Sequence, residues 1–315
     1  MIDALKFLQR GDNFLIIIHI DPDGDAVGSA LTLVLGLKKM GKKALLACRD
    51  PLPAIFDFLI KEQKIVHDFL LGDFENVILI DCGDLRRTGF SERLKDFTHT
   101  HRPLLNIDHH HKNDIHRLAT INLFDYNVSS AAEIIYGLLC QLNIKIDSLM
   151  ATGLLTGLYT DTGGFQHANI SPQTLKITSQ LLSCGARLPE IVENISLNKS
   201  VSTLKIWGKV LERAQKNSYG LLISAISAKD LQEAGEEESA LSGLANLMAA
   251  TEGVKGAILF SQTPEGVKAS LRTEEAHIDM AHLAEIFGGG GHKKAAGFII
   301  PGRIMIEKKG WKIVI

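Results

Sequence analysis

The sequence predicts an α/β protein, in which a mostly parallel sheet carries helices on both faces and a smaller α/β domain follows. Three observations carry that reading. Short runs with no polar alternation, FLIIIHI (14–20), KALLAC (43–48), VILID (77–81) and LLNID (104–108), have the composition of strands buried on both faces. Stretches with apolar residues near 3.6 spacing lie between and after them. At 315 residues the chain also exceeds one ordinary domain of roughly 100–200 residues.

Taken in order, the first strand leads into a helix-like stretch from Ala26 to Met40, closed by Gly41. From Ser129 the chain turns helical, through SSAAEIIYGLLCQL, SLMATGLLTGLYT and SPQTLKITSQLL. Ser171-Pro172 is a helix start, with serine as cap and proline in the first turn. The stretch 188–216 is more charged, and its latter part reads as a connector. A second α/β unit begins near Tyr219: strand GLLISAIS, helices over about 229–251, then VKGAILFSQT and VKASLRT joined at Pro264-Glu265-Gly266 as an antiparallel hairpin. Helix DMAHLAEIF runs into GGGGH. The expected division is a first domain over 1–190, a helical connector over 191–217 and a second domain over 218–315.

A net charge of −2 argues against a partner gripped through many phosphates, so no long duplex nucleic acid is expected. A small anion needs only a few cations and metals. Cys48, Cys82, Cys140 and Cys184 form no CxxC pair and read as reduced core thiols. The N-terminal MIDALKFLQRGD lacks a signal-peptide core, and no apolar run approaches the roughly 20 residues that span a bilayer. A cytoplasmic protein with no membrane partner is expected, and a homodimer is left open.

The chemistry is concentrated at element ends. The first strand finishes in His19-Ile20-Asp21-Pro22-Asp23-Gly24-Asp25, where three carboxylates and an imidazole in seven residues repel one another unless a cation neutralises them. VILID finishes on Asp81 and continues to Asp84; LLNID finishes on Asp108, followed by His109, His110 and His111. An apolar helix ends at Asp161 before Gly163-Gly164. In open parallel sheets ligands bind beyond the carboxyl ends of the strands, so these segments should meet at one rim. A calcium loop starting at Asp21 would need glutamate at its twelfth position, which is Thr32. Imidazole and carboxylate ligands without thiolate favour manganese, or magnesium, iron or cobalt, over structural zinc. Two such ions about 3.5–4 Å apart would clamp a phosphoryl group and acidify a water.

This pattern resembles the DHH phosphoesterase family. The signatures are His19-Ile-Asp-Pro-Asp23-Gly-Asp25, Ile80-Asp81-Cys-Gly-Asp84, Asp108-His109-His110 and Thr160-Asp161-Thr-Gly, with Gly288-Gly-Gly-Gly291-His292 and Ala295-Ala296-Gly297 similar to the DHH-associated C-terminal domain. The likeness is nearest to its small bacterial oligoribonucleases that also act on 3′-phosphoadenosine 5′-phosphate (pAp). The resemblance implies two Mn2+, with Mg2+ or Co2+ as alternatives. His19 and Asp23 would hold one ion and Asp25, His109 and Asp161 the other, with Asp81 between them. Asp108 would orient a histidine ligand, and His110 would reach the phosphate or the leaving oxygen. In the second domain Arg272 and His292 would contact substrate. Gly289, Gly290 and Gly291 read as an anion cradle of exposed backbone N–H groups. Arg86 and Arg87, just after Asp84, are candidates for a phosphate contact. No role is implied for His111, and the remaining histidines, His67, His99, His101, His116, His167, His277 and His282, read as ordinary surface or core residues.

The function implied is hydrolysis of short oligoribonucleotides to mononucleotides and of pAp to AMP. A phosphodiesterase of cyclic or linear dinucleotides such as pApA or pGpG is the second enzymatic reading, and a nucleotide-binding protein the non-enzymatic one.

Overall fold

The computed structural model describes every residue except 61–62, 101, 111–112, 308–309 and 315, and for His292 the backbone alone. The expected position of His101 and the extra His111 lie outside the described residues. The chain forms two compact units, Met1–Leu197 and Asn198–Ile315. Among the described residues, no helix is long and apolar enough to cross a membrane.

The first unit is built on six parallel strands, β1 (Asn13–Ile18), β2 (Lys43–Ala47), β3 (Ile65–Val66), β4 (Asn76–Ile80), β5 (Leu104–Asp108) and β6 (Ile121–Phe124), in the order β3-β2-β1-β4-β5-β6. The uninterrupted apolar runs reflect burial on both faces. Phe14, Ile16 and Ile18 of β1 and Ile78 and Ile80 of β4 join the core beneath the helices Gly24–Lys39, Ala131–Gln141 and Ser148–Asp161. Leu15, Ile17, Val77 and Leu79 face the opposite core, with Phe90, Leu94 and Phe97. Each such side chain contributes about 1.5–3 kcal/mol relative to exposure. Chain order reverses between β1 and β4, so their outgoing loops diverge and open a crevice at their carboxyl ends.

Helices Gly24–Lys39 and Ser148–Asp161 touch backbone to backbone. A Cβ on Gly28 would stand 2.1 Å from the Gly153 carbonyl oxygen, and one on Gly157 2.5 Å from Asp25 Oδ1. Glycine is required there because only its bare face lets the two helices close, and that approach carries Asp161 to Asp25.

The second unit holds a mixed sheet of β7 (Gln215–Lys216), β8 (Leu221–Ile226), β9 (Gly256–Thr263), β10 (Gly266–Arg272), β11 (Gly290–His292) and β12 (Ala295–Ile300), ordered β11-β12-β10-β9-β8-β7. The expected hairpin is present, β9 pairing antiparallel with β10. A separate hairpin, β13 (Arg303–Glu307) with β14 (Gly310–Val314), was not anticipated. The stretch expected as a connector, 191–217, is divided between the units, since helix Val201–Glu212 buries Ile206 and Val210 in the core of the second. The cysteines also divide: Cys48 and Cys82 are core thiols, but Cys140 and Cys184 are exposed, correcting the expectation for all four. Both lie at the outward C-terminal ends of helices, Cys140 next to last in Ala131–Gln141 and Cys184 as the C-cap of Pro172–Ser183.

Candidate metal centre

His19 follows directly on β1 and is 1% exposed. Its Nδ1 lies 2.7 Å from the Ile20 carbonyl oxygen, which can only accept, so Nδ1 carries a proton. Nε2 makes no hydrogen bond among the described residues and sits 3.7 Å from Asp23 Oδ2 and 3.9 Å from Asp81 Oδ2. Asp23 divides its carboxylate. Oδ1 caps helix Gly24–Lys39 by accepting from the N–H groups of Asp25 (3.0 Å) and Ala26 (3.1 Å), which leaves Oδ2 toward His19. Burial disfavours a charged imidazole, but Asp23 outweighs it and holds His19 above its ordinary pKa.

Asp25, fully buried, is held at three points. Oδ1 accepts from Ser29 Oγ (3.0 Å) and the Ala132 N–H (3.0 Å), and Oδ2 from the Ala131 N–H (2.5 Å). Those amides open helix Ala131–Gln141, so a carboxylate 106 residues upstream in sequence caps that helix in place of Ser130, whose side chain makes no cap bond. Even so, burial together with the nearby carboxylates of Asp161 and Asp81 pushes Asp25 well above the carboxylate range.

Asp81 leaves β4 in the left-handed region, φ +57°, where a residue with a Cβ is disfavoured. The strain is held by its N–H donating to the Ile107 carbonyl at 3.0 Å. Its Oδ1 lies 3.3 Å from both His109 Nε2 and His110 Nδ1, yet completes no hydrogen bond among the described residues. Burial works against its charge, but the two imidazoles prevail and hold it well below the usual range.

Asp108, the last residue of β5, is fully buried. Oδ1 accepts from the His110 N–H (2.9 Å) and lies 2.7 Å from His110 Nδ1, while Oδ2 accepts from the Gly83 N–H (3.0 Å). The histidine it orients is therefore His110. Despite burial, Asp108 and Asp81 push His110 up to about 10. His109 turns Nε2 toward three carboxylates, at 3.2 Å from Asp161 Oδ2, 3.3 Å from Asp81 Oδ1 and 3.9 Å from Asp25 Oδ2. Burial opposes its charge, but Asp161 and Asp81 raise it well above the ordinary value. Asp161 ends helix Ser148–Asp161. Burial, reinforced by Asp23, overcomes the His109 contact and raises it to about 6.

These side chains form interlocking groups, with the ligand atoms of each within 4.8 Å of one another: His19–Asp23–Asp81, Asp25–His109–Asp161 and Asp81–His109–His110. The donor set fits metal. Four carboxylates converge, and their full ionisation would match the charge of two divalent cations. A buried imidazole nitrogen and a buried carboxylate oxygen within the group have no hydrogen-bond partner among the described residues. A single proton on His109 cannot satisfy three carboxylates at once.

Sequence reasoning missed the residues behind this set. Glu133 accepts from the Ser129 N–H (3.0 Å), Ser129 Oγ (2.6 Å) and Thr174 Oγ1 (2.8 Å), fixing the turn that presents Ala131 and Ala132 to Asp25. Asn169 Nδ2 donates to the carbonyls of Ser129 (3.2 Å) and Asp161 (3.1 Å), joining that turn to the end of the Asp161 helix. The Ser-x-x-Glu spacing from Ser130 was a visible signal, but one that reads as an ordinary capping box.

Of the two arginines after Asp84, Arg86 is exposed, whereas Arg87 is half-buried and turned toward Gly83. In the second unit, Arg272 ends β10 with Nε donating to Asn246 Oδ1 (2.8 Å) and Nη1 to the Leu271 carbonyl (2.8 Å). The register Arg272–Ala295–His292 places Arg272 and the His292 backbone in one cross-strand row. The glycine run is an edge strand rather than an open loop. Gly290 pairs with Gly297 and Gly291 with Ala296, and the Gly289 N–H donates to Ala284. A Cβ on Gly289 would lie 2.1 Å from the Gly297 oxygen, and one on Gly291 2.5 Å from the Ala295 oxygen, whereas Gly290 has an open face. Close packing thus explains Gly289 and Gly291 without an anion.

Comparison with known proteins agrees with this anatomy. Residues 13–158 match the DHH family N-terminal domain and residues 219–309 the DHHA1 domain. The chain is 31% identical over 288 residues to the bifunctional oligoribonuclease and PAP phosphatase NrnA of Thermus thermophilus, covering 91% of this chain and 84% of that one. An exopolyphosphatase-related protein from Bacteroides fragilis superposes with a TM-score of 0.87 at 24% identity, over 95% of this chain and 90% of that chain. RecJ from Thermus thermophilus in complex with Mn2+ shares the fold, with a TM-score of 0.53 at 14% identity over 95% of this chain and 51% of that one.

Proposed function

The chain belongs to the DHH family of phosphoesterases and is a hydrolase of phosphate esters, and on that footing we propose that it releases mononucleotides from short oligoribonucleotides and converts pAp to AMP. The observation that carries the proposal is the pair of ligand groups His19–Asp23–Asp81 and Asp25–His109–Asp161, side by side where strand order reverses, with Asp81 close to both. The curated relative named for both activities supports the choice of substrates.

In this reading His19 and Asp23 hold one divalent ion, Asp25, His109 and Asp161 the other, and Asp81 serves both; manganese is the favoured metal, with magnesium or cobalt as substitutes. When bound, such a pair supplies Lewis acidity toward a phosphoryl oxygen and lowers the pKa of water. The chain's own residues do the remainder. Asp108 holds His110 at Nδ1 and so orients the ring to give a hydrogen bond or a proton to the leaving oxygen. Asp25, locked by three donors, and Asp81, fixed by its strained backbone, keep the carboxylates in place before substrate arrives. Arg272 and the edge at Gly290–His292 contact the nucleotide. The enzyme is cytoplasmic in this reading.

A product-resolved assay tests it, offering pAp, pApA, longer RNA and a cyclic dinucleotide with Mn2+ and with Mg2+. Release of AMP from pAp and of mononucleotides from the dinucleotide, lost in Asp81→Ala, is the expected result. Turnover confined to the cyclic dinucleotide would overturn the substrate assignment, and undiminished turnover by Asp81→Ala would overturn the site.

A further inference from the structure

We propose that Arg87 couples anion binding to metal binding: its guanidinium takes an oxygen of the substrate phosphoryl group and, until an anion is there, weakens cation binding at His19 and its neighbours. The proposal rests on the metal centre described above but not on the identity of the nucleotide. Arg87 sits in the short helical turn Arg86–Thr88 and is pinned from both loops that flank the strand-order reversal. Its N–H donates to Asp84 Oδ1 at 2.8 Å, and its carbonyl accepts from the N–H of Ile20, the residue after His19, at 2.7 Å.

The side chain is as constrained as the backbone. Its Nη1 lies 2.8 Å from where a Cβ on Gly83 would stand, and His110 Cδ2 lies 3.7 Å from the same point. Gly83, at φ +69°, therefore leaves a bare patch flanked by a guanidinium on one side and the His110 ring on the other. The bond from the Ile20 N–H ties this turn to the residue next to His19, and the His110 ring at the patch stands 3.3 Å from Asp81 Oδ1, so the patch borders the ligand groups.

Despite this setting, Arg87 forms no ion pair among the described residues, although Arg93, Arg187 and Arg213 each do. A half-buried guanidinium beside Gly83 and the His110 ring, with no ion pair among the described residues, would be repelled by cations held at the neighbouring ligands unless an anion came between. A phosphoryl group suits that place, because its oxygens can face the planar N–H fork on one side and divalent ions on the other. The pinned backbone delivers the fork without a search, and Arg86, one residue earlier, points into solvent.

The consequence is reciprocity. If phosphate tightens Mn2+ binding by some factor, Mn2+ must tighten phosphate binding by the same factor, and that factor should collapse without Arg87. The experiment uses the full-length protein with two probes, Mn2+ followed by electron paramagnetic resonance and inorganic phosphate by calorimetry, so that nucleotide turnover is not needed. In wild type, saturating phosphate is expected to tighten Mn2+ binding about tenfold. In Arg87→Ala, Mn2+ without phosphate should bind more tightly than in wild type, phosphate at least about tenfold more weakly, and the coupling should vanish. Arg87→Lys should restore part of the coupling as a point charge. Phosphate affinity unchanged in Arg87→Ala, or Mn2+ binding lost together with phosphate binding, would overturn the proposal; Arg87→Gln repeats the measurement if the alanine variant does not fold. If the couplings behave as expected while pAp and short RNA are not cleaved, this inference stands and the substrate assignment falls.

Discussion

The two ligand groups that meet at Asp81 are built in opposite ways. His19 and Asp23 come from one loop, four residues apart, and the Asp23 side chain is half exposed, with one oxygen already used to cap its own helix. Asp25, His109 and Asp161 come from three distant segments, and Asp25 is fully buried beneath a helix N-terminus. The first group is organised by local chain geometry and the second by tertiary packing. A packed group holds its ligands more firmly, but its charges cost more while uncompensated, as the elevated Asp25 and Asp161 carboxyls record. The first group is thus expected to exchange metal readily and the second to depend on the integrity of the fold.

The largest effect should come from the residue the groups share. Asp81→Ala is expected to lower kcat on the order of a thousandfold and to remove the thermal stabilisation by Mn2+. If only one of two Mn2+ binding events were lost, Asp81 would belong to one group alone.

Next comes a direct contrast in chelator-treated protein. Asp25→Ala leaves three buried donors without an acceptor and should cost about 2–4 kcal/mol, whereas Asp23→Ala loses an N-cap worth about 1 kcal/mol. Urea unfolding of both variants decides, and equal losses would erase the distinction between a packed and a local group.

A smaller effect should single out the packed group through a residue that touches no candidate ligand. Glu133→Gln keeps the shape but weakens the acceptor at Ser129 and Thr174, so the amides holding Asp25 lose their brace. Binding of one Mn2+ should weaken about tenfold while the other is unchanged, as titration by electron paramagnetic resonance would show. Weakening of both would mean that the groups do not behave separately.

The same division marks what could be read from the sequence. The local group is spelled out within five consecutive residues, His19 to Asp23, and its place at a strand end follows from an apolar run that stops there. Asp81, Asp108 and Asp161 were legible for the same reason, Asp81 following directly on β4 and the other two each ending an element. The capping of Ala131 and Ala132 by Asp25 was not legible, because a contact across 106 residues leaves no spacing signal. Arg86 and Arg87 are identical to any composition rule, and only the turn after β4 sends one outward and the other in. The glycines after Ile286 read as an anion loop, yet Gly289 and Gly291 are needed where the backbone of the neighbouring strand presses against them. Cross-strand packing of that kind has no local period.

The last and smallest effect concerns protons. In the metal-free protein His110 is raised from roughly 6.5 to about 10, so the stability it contributes is present in full below pH 6.5 and fades as pH rises toward 10. Asp161, raised to about 6, acts in the same sense at lower pH, since the unfolded carboxyl ionises first and the folded one only near 6. In the proposed site metal would reverse the trend, because Asp161 and His109 would have to give up protons before ligating. The gain in melting temperature from Mn2+ should therefore widen steadily from about pH 5.5 to about pH 8.5, with protons released on binding. The widening should persist in Asp23→Ala, whose own carboxyl lies below the usual range and carries no proton at these pH values, and it should shrink in Asp161→Asn. A gain independent of pH would mean that neither group titrates on binding, and one that follows Asp23 rather than Asp161 would place the titrating ligands in the local group; either result undoes the contrast.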